Sequence, residues 1–162
     1  RGTNQELTRA MNRLVAVCLL GLGLASCGPK PLVSELTELK EGWALQDSLE
    51  VEFEVAETTQ EFDFELLIRN TDDYPYKNLF VYIDYTFPDR TVSDTVSVLL
   101  ADHYGAWLGS GIGAVHTSQI KFKRNASFPV VGNYSARITH GMRDTLLPGI
   151  SEFGFEIIPS EK

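Results

Sequence analysis

The chain has 162 residues, 43% of them hydrophobic, and a formal net charge of -8 at neutral pH. This length suits one ordinary domain with its own core, and the composition shows none of the biases of disordered or collagen-like chains. An acidic surface repels phosphate backbones, and no basic stripe with interleaved aromatic residues is present, so no nucleic acid partner is expected.

The N-terminal segment has the composition of a secretory signal. From Met11 the chain carries one positive charge, at Arg13, and then an apolar stretch over residues 14–25 that ends in small residues. About 20 apolar residues are usual for a helix that spans a bilayer, so this shorter stretch is typical of a signal peptide. We therefore expect residues 1–26 to comprise an upstream extension and a signal peptide that is removed.

The end of this signal indicates a lipid anchor. The stretch LASC, residues 24–27, resembles the bacterial lipobox, in which a signal peptidase cleaves before a cysteine that carries diacylglycerol. This chemistry needs a thiolate at Cys27 and small residues just before it. Three acyl chains such as palmitate, at about 0.8 kcal/mol per buried methylene, exceed the two needed for stable attachment. The sequence therefore predicts lipidation of Cys27 and a membrane partner, with an ordinary buried or free cysteine as the alternative.

The residues after Cys27 indicate a tether. The stretch GPKPLVSELTELKEG, residues 28–42, is polar, has two early prolines, and shows at most one helical turn, with Leu36 and Leu39. About fifteen to twenty flexible residues have a root-mean-square reach of roughly 20 to 27 Å. We expect residues 27–45 to form a lipid-anchored tether that holds one domain near the membrane.

Period-two alternation begins after the tether. In LEVEFEVA, residues 49–56, apolar side chains alternate with glutamates, as in a half-buried antiparallel strand. Such runs predict strands at residues 49–56, 62–69, 79–87, 95–100, 119–123, 134–140 and 153–158. No useful helical periodicity separates them, which disfavours parallel βαβ units. The predicted fold for residues 46–162 is therefore all-β, an antiparallel β-sandwich of about seven strands, Greek-key or jelly-roll-like, and the Gly-x-Tyr pattern at Tyr134 resembles a tyrosine corner.

The stretch GAWLGSGIGAV, residues 105–115, is rich enough in glycine to suggest a phosphate-binding loop. A P-loop needs Gly-Lys-Ser/Thr at its end, but Gly113 is followed by Ala114, Val115 and His116, and the glycine spacing also differs from the dinucleotide fingerprint. We therefore expect no nucleotide and no cofactor. The favoured interpretation is a loop whose glycines adopt positive φ or allow close backbone contact, with Trp107 pinning it to the sandwich.

No catalytic or metal-binding set emerges from the other polar residues. His103, His116 and His140 lack zinc-site spacing, and Ser110 lacks the Gly-x-Ser-x-Gly context of a nucleophile elbow. The pair Asp102 and His103 could bind calcium or zinc together with distant carboxylates, although a solvated turn is the favoured interpretation. The glutamates of residues 49–55 are the outer face of a strand, so no hydrolase acid is assigned among them.

Exposed aromatic residues suggest one alternative function. A stacking platform for sugar could be formed by Tyr74, Tyr76, Tyr82 and Trp107. A lipid-anchored sandwich with such a platform would be a glycan-binding module, whereas core and corner packing of these rings is the favoured interpretation.

Several spaced blocks together resemble the gliding-motility lipoprotein GldH family. They are Arg69-Asn70, Tyr74-Pro75-Tyr76, Asn78-Leu79, Gly105, Trp107-Leu108-Gly109, Gly111, Gly113, Phe128-Pro129, Gly132, Tyr134, His140, Met142-Arg143 and Leu147-Pro148-Gly149-Ile150. The resemblance implies a non-enzymatic outer-membrane lipoprotein that is needed for surface gliding and is associated with type IX secretion. Because GPKP follows Cys27 without a run of acidic residues, we expect the periplasmic face of that membrane.

The resemblance also suggests where a partner binds. The expected partners are protein components of the gliding and secretion machinery, and the candidate contact residues are Trp107, Gly109, Gly111, Gly113, His140, Met142 and Arg143. A glycan-binding surface or periplasmic lipoprotein is the alternative. An envelope hydrolase is a third hypothesis, and it would need a polar pocket on which acids or histidines converge.

Overall fold

Alternating apolar residues fold the chain into two packed antiparallel sheets. The computed structural model describes residues 30–161, and no helix within that range is long and apolar enough to cross a bilayer. The strands are β1 (Val33–Glu38), β2 (Trp43–Ala44), β3 (Leu49–Val55), β4 (Glu61–Thr71), β5 (Asn78–Thr86), β6 (Thr91–Leu99), β7 (Ser110–Ile112), β8 (Val115–Ser127), β9 (Gly132–His140), β10 (Leu146–Leu147) and β11 (Ile150–Pro159). Each of the seven predicted strands overlaps one of the longer strands.

The two sheets form a jelly roll. One has the order β1-β11-β4-β8-β7, the other has the order β3-β9-β5-β6, and β2 pairs with β10 in a small separate ribbon. With β1, β3, β4, β5, β6, β8, β9 and β11 counted from one to eight, the sheets read 1-8-3-6 and 2-7-4-5, which is the jelly-roll order. The predicted all-β sandwich is therefore confirmed.

The sandwich has two distinct ends, each with an aromatic cluster. At the lower end, where β1 begins, lie the connections 56–60, 87–90 and 128–131. The ring centroids there lie 4.9 to 6.0 Å apart in a cluster of Phe53, Phe62, Phe64, Phe128 and Tyr134. At the upper end, where β1 ends, Trp43 packs on Phe153 with centroids 4.4 Å apart. Aromatic pairs in such geometries contribute about 0.5–1.5 kcal/mol each beyond their buried area.

The predicted tyrosine corner is present at the lower end. The Tyr134 hydroxyl donates a hydrogen bond to the Val130 carbonyl, with 2.7 Å between the oxygens. This bond closes the connection between β8 and β9 over four residues, and a typical bond of this kind contributes about 1 kcal/mol net. The loop of residues 128–131 is therefore held in one shape.

Residues 33–45 belong to the fold, which corrects the predicted tether. β1 pairs with β11 from Val33 opposite Ile157 to Glu38 opposite Glu152, and Trp43 is only 2% exposed. The helical turn predicted around Leu36 and Leu39 is wrong, because β1 is an edge strand with mostly exposed side chains. β1 is held in the sheet by backbone hydrogen bonds to β11. Such bonds do not require apolar residues at alternate positions, so the sequence of β1 shows no alternation. Residues 1–26 and Cys27 lie outside the described residues.

A buried ion network covers the outer face of β4. Lys121 donates to the Asp63 carboxylate at 2.6 Å, and the backbone N–H of Asn125 and the hydroxyl of Ser160 donate to it as well. These bonds, the one from Lys121 first, hold the pKa of Asp63 well below its usual value. The carboxylate thus ties β4 to β8 and to the residues that follow β11.

Candidate functional site

The glycine-tryptophan stretch, residues 105–115, is clamped to the upper end of the sandwich. Trp107 Nε1 donates to Asp72 Oδ1 at 2.9 Å, and His116 Nε2 lies 2.9 Å from the same oxygen. The rings of Trp107 and His116 are stacked, with centroids 5.5 Å apart. Trp107 therefore pins this stretch to the sandwich, as predicted.

The glycines of this stretch serve the backbone in the two ways predicted. Gly113 has a φ of +68° at the tip of the hairpin between β7 and β8, a conformation that favours glycine. A Cβ on Gly111 would collide with the Val115 carbonyl of the facing strand. One detail differs from the expectation, because residues 110–112 form the short strand β7 instead of continuing the loop.

The pair Asp102 and His103 lies in a turn. Asp102 Oδ1 accepts hydrogen bonds from the backbone N–H groups of Tyr104 and Ala106, both at 2.9 Å. Backbone donors therefore occupy this carboxylate, as is usual for aspartate in a turn. Among residues 30–161, no group of three or more His, Cys, Asp or Glu side chains is arranged to hold a metal ion.

The three histidines have separate surroundings. His103 lies on an exposed loop against Tyr104, His116 contacts Asp72, and the ring of His140 lies 5.6 Å from that of Trp43. The hydrolase hypothesis required acids or histidines that converge on one pocket, and these three histidines do not converge.

His140 is a core residue, which corrects its assignment as a contact. It is 1% exposed, and neither ring nitrogen has a hydrogen-bond partner among the described residues. Burial lowers the pKa of His140, and the charges of Asp47 and Asp144 oppose that effect only in part. A side chain in this position cannot touch a partner protein directly.

The next residues, Gly141 to Arg143, line a surface groove of about 580 Å³. We call it the aromatic groove, and its lining residues are Tyr76, Asn78, Phe80, Tyr82, Thr95, Gly141, Met142 and Arg143. Two of them, Phe80 and Tyr82, lie on the outer face of β5, and Tyr82 is 47% exposed. The groove lies at the upper end of the second sheet, because β5 and β9 pair with Val81 opposite His140.

Close contacts fix the walls of the aromatic groove. A Cβ on Gly141 would lie 2.8 Å from Tyr82 Cζ, so only glycine leaves room for this ring. The Phe80 N–H points to Met142 Sδ at 3.4 Å. The Tyr76 hydroxyl donates to Asp144 at 2.6 Å, a bond that raises the pKa of Tyr76. The groove is therefore shaped before any partner binds.

Arg143 gives the aromatic groove a positive charge. Its side chain is exposed, and among residues 30–161 it forms no ion pair or side-chain hydrogen bond, whereas the neighbouring Asp144 is engaged by Tyr76. A free guanidinium beside exposed rings suits a ligand that carries a carboxylate next to an apolar group, because arginine binds carboxylates with two parallel bonds.

The other predicted aromatic residues do not form an open platform. Tyr74 is buried, Tyr76 and Trp107 are half-buried, and only Tyr82 of the four is exposed. Tyr74 lies between the other two, with its centroid 5.8 Å from that of Tyr76 and 6.5 Å from that of Trp107. A row of rings therefore joins the glycine-tryptophan stretch to the aromatic groove. Sequence reasoning missed Phe80, although the alternation of β5 places it on the same face as Tyr82.

The buried His140 predicts a specific acid sensitivity. Its folded-state pKa is lower than the ordinary 6.5, so below pH 6.5 the unfolded chain binds a proton that the folded chain does not. The free energy of unfolding should therefore fall as the pH decreases from 7.5 to 5. In His140→Phe this fall should be smaller, and stability at pH 7.5 should be retained because an apolar ring leaves no unpaired nitrogen.

Urea unfolding of the two proteins at several pH values checks this expectation. His103→Phe, on the exposed loop, is the matched control and should keep the wild-type pH dependence. An equal loss of stability between pH 7.5 and 5 in wild type and His140→Phe would contradict it.

Comparison with known proteins identifies relatives that span nearly the whole chain. The model of a family described as GldH lipoprotein matches residues 32–157. A gliding motility lipoprotein GldH homolog of Christiangramia forsetii is 32% identical over 145 residues, which are 85% of this chain and 89% of that protein. The gliding motility lipoprotein GldH of Flavobacterium johnsoniae is 24% identical over 147 residues, which are 86% of this chain and 91% of that protein.

Proposed function

Because this chain belongs to the GldH family of gliding-motility lipoproteins, we propose that it is a non-enzymatic component of the gliding machinery and of the linked type IX secretion apparatus. The observation that carries the proposal is the family match over residues 32–157, which takes in both sheets of the sandwich almost completely. The anchor is lipidated Cys27, in the outer membrane. The periplasmic face is proposed because no run of acidic residues follows Cys27.

The upper end of the sandwich is the proposed surface for a protein partner. It carries the aromatic groove with Met142 and Arg143, and the stretch with Trp107, Gly109, Gly111 and Gly113. The proposed occupant of the groove is a segment of a machinery protein with an apolar side chain next to a carboxylate. Charge complementarity supports this choice, because Arg143 is an exposed, unpaired cation within the described part of an acidic protein.

Exchange of the Arg143 charge tests this surface. In a strain that lacks the gene, wild type should restore colony spreading or type IX export, whereas Arg143→Glu should restore neither. On crosslinking, Arg143→Glu should capture at least about tenfold less partner, as expected for a residue at the centre of a contact. The protein level and membrane fraction should stay unchanged, because the side chain is exposed.

Lys40→Glu is the matched control, since it reverses an exposed positive charge on another face of the upper end. It should behave as wild type. Normal spreading and export without the gene would contradict the gliding and secretion role. Full rescue by Arg143→Glu, combined with glycan binding that Tyr82→Ala abolishes, would support the glycan-binding alternative instead.

A further inference from the structure

The first strand of the sandwich begins very close in sequence to the proposed anchor. The Leu32 N–H donates to the Ile157 carbonyl at 2.8 Å, so β1 is held to β11 from this residue onward. Cys27 precedes Leu32 by five residues. Five residues span at most about 18 Å even when fully extended. The point at which the chain joins the sandwich therefore lies no farther than this from the membrane surface.

This short connection distinguishes the two ends of the sandwich. β1 starts at the lower end and runs upward. In the same sheet, on the other side of β11, β4 has 11 residues, a length of about 36 Å. The upper end is therefore about two tether lengths beyond the point where the chain joins the fold. A domain held in this way keeps its lower end near the bilayer.

The lower end carries an apolar loop at about the same height as the point where the chain joins the sandwich. In the loop of residues 128–131, Val130 is 41% exposed and Val131 is 57% exposed, and the loop contains no charged residue. It follows β8, which lies three strands from β1 in the sheet, a lateral distance of about 14 Å. In the neighbouring connection, Asp89 and Arg90 form an ion pair, with 3.1 Å between their charged atoms.

The tyrosine corner suits this loop for contact with a surface. Because the Tyr134 hydroxyl holds the Val130 carbonyl, the two valine side chains stay exposed instead of folding back onto the core. Exposed apolar side chains that lie next to one another can mark a site of contact with a protein or a membrane. The nearest surface to this loop, given the length of the connection to Cys27, is the lipid bilayer itself.

We propose that the lower end of the sandwich is a membrane-contact face, with the side chains of Val130 and Val131 in the lipid headgroup region. This inference rests on the proposed anchoring through Cys27. The upper end, with the aromatic groove and the glycine-tryptophan stretch, then points away from the anchoring membrane and is open to a partner.

Fluorescence quenching by brominated phospholipids measures this orientation in the lipidated full-length protein. Both native tryptophans, Trp43 and Trp107, lie at the upper end and should be little quenched in vesicles. Val131→Trp adds a tryptophan at the lower end, and its added fluorescence should be strongly quenched. Ile112→Trp is the matched control at the upper end, where Ile112 is 94% exposed, and its added fluorescence should remain.

Flotation of the same vesicles separates the two proposals. If wild type and both variants float with the vesicles but Val131→Trp is quenched no more than Ile112→Trp, the membrane-contact face is wrong and the anchor stands. If wild type fails to float, the anchor itself is wrong. Quenching of Ile112→Trp alone would show that the opposite end faces the lipid and would also overturn the inference.

Discussion

Replacement of Cys27 by serine is expected to transfer the protein from the membrane fraction to the soluble fraction. A serine cannot accept the diacylglycerol thioether, so the acyl chains that would hold the domain are never added. Each acyl methylene contributes about 0.8 kcal/mol of membrane affinity, and loss of all chains should lower the membrane-bound fraction by well over tenfold. Cell fractionation with metabolic labelling by a palmitate analogue measures both effects.

Cys18→Ser is the matched control for this experiment. Cys18 lies in the segment that we predict to be removed with the signal peptide, so the variant should be labelled and membrane-bound like wild type. The melting temperature of Cys27→Ser should equal that of wild type, since its sandwich is the same. A soluble wild type, or a labelled Cys27→Ser, would contradict the anchor.

Trp43→Ala is expected to remove a large fraction of the stability of the sandwich. The indole packs on Phe153 with ring centroids 4.4 Å apart, and its Nε1 donates to the Asp47 carbonyl at 3.1 Å. Truncation of a buried aromatic residue costs about 3–5 kcal/mol, because apolar contacts are lost and a cavity remains. That is a large fraction of the about 5–15 kcal/mol by which ordinary domains are stable.

Leu45→Ala provides the control in the same segment, because Leu45 is exposed and its truncation should change the free energy of unfolding very little. Both values come from urea unfolding followed by near-ultraviolet circular dichroism. A loss below about 1 kcal/mol in Trp43→Ala, typical of surface substitutions, would mean that residues 33–45 do not contribute to the core as the structure shows.

The long strands could be predicted because their apolar alternation reflects burial on one face. β3 was predicted one residue too long at its C-terminal end, and β5 with an error of one residue at each end. β1 could not be predicted in this way, because an edge strand with a polar outer face is held by backbone hydrogen bonds that side-chain patterns do not record. The short strands β2, β7 and β10 have two or three residues each, too few for any periodicity.

The candidate site could be predicted only in part. Alternation places Phe80 and Tyr82 on the outer face of β5, and the family resemblance singles out Met142 and Arg143. Nothing local in the sequence says that these two groups meet. Their contact depends on the pairing of β5 with β9, which brings Gly141 beneath the Tyr82 ring. The burial of His140 could not be predicted either, because it is packed against Trp43, which the sequence analysis assigned to the tether.

The pairing of β1 with β11 limits how far the sandwich can lie from a membrane to which Cys27 is attached. β1 has no other described neighbour in its sheet than β11, and the two strands lie at opposite ends of the described part of the chain. Because β11 is the only described strand that pairs with β1, β1 is joined to its sheet only once β11 is in place. With the two strands paired, Leu32, five residues after Cys27, is already bonded to Ile157. In a chain anchored through Cys27, the pairing of these two strands would therefore bring the sandwich close to the bilayer.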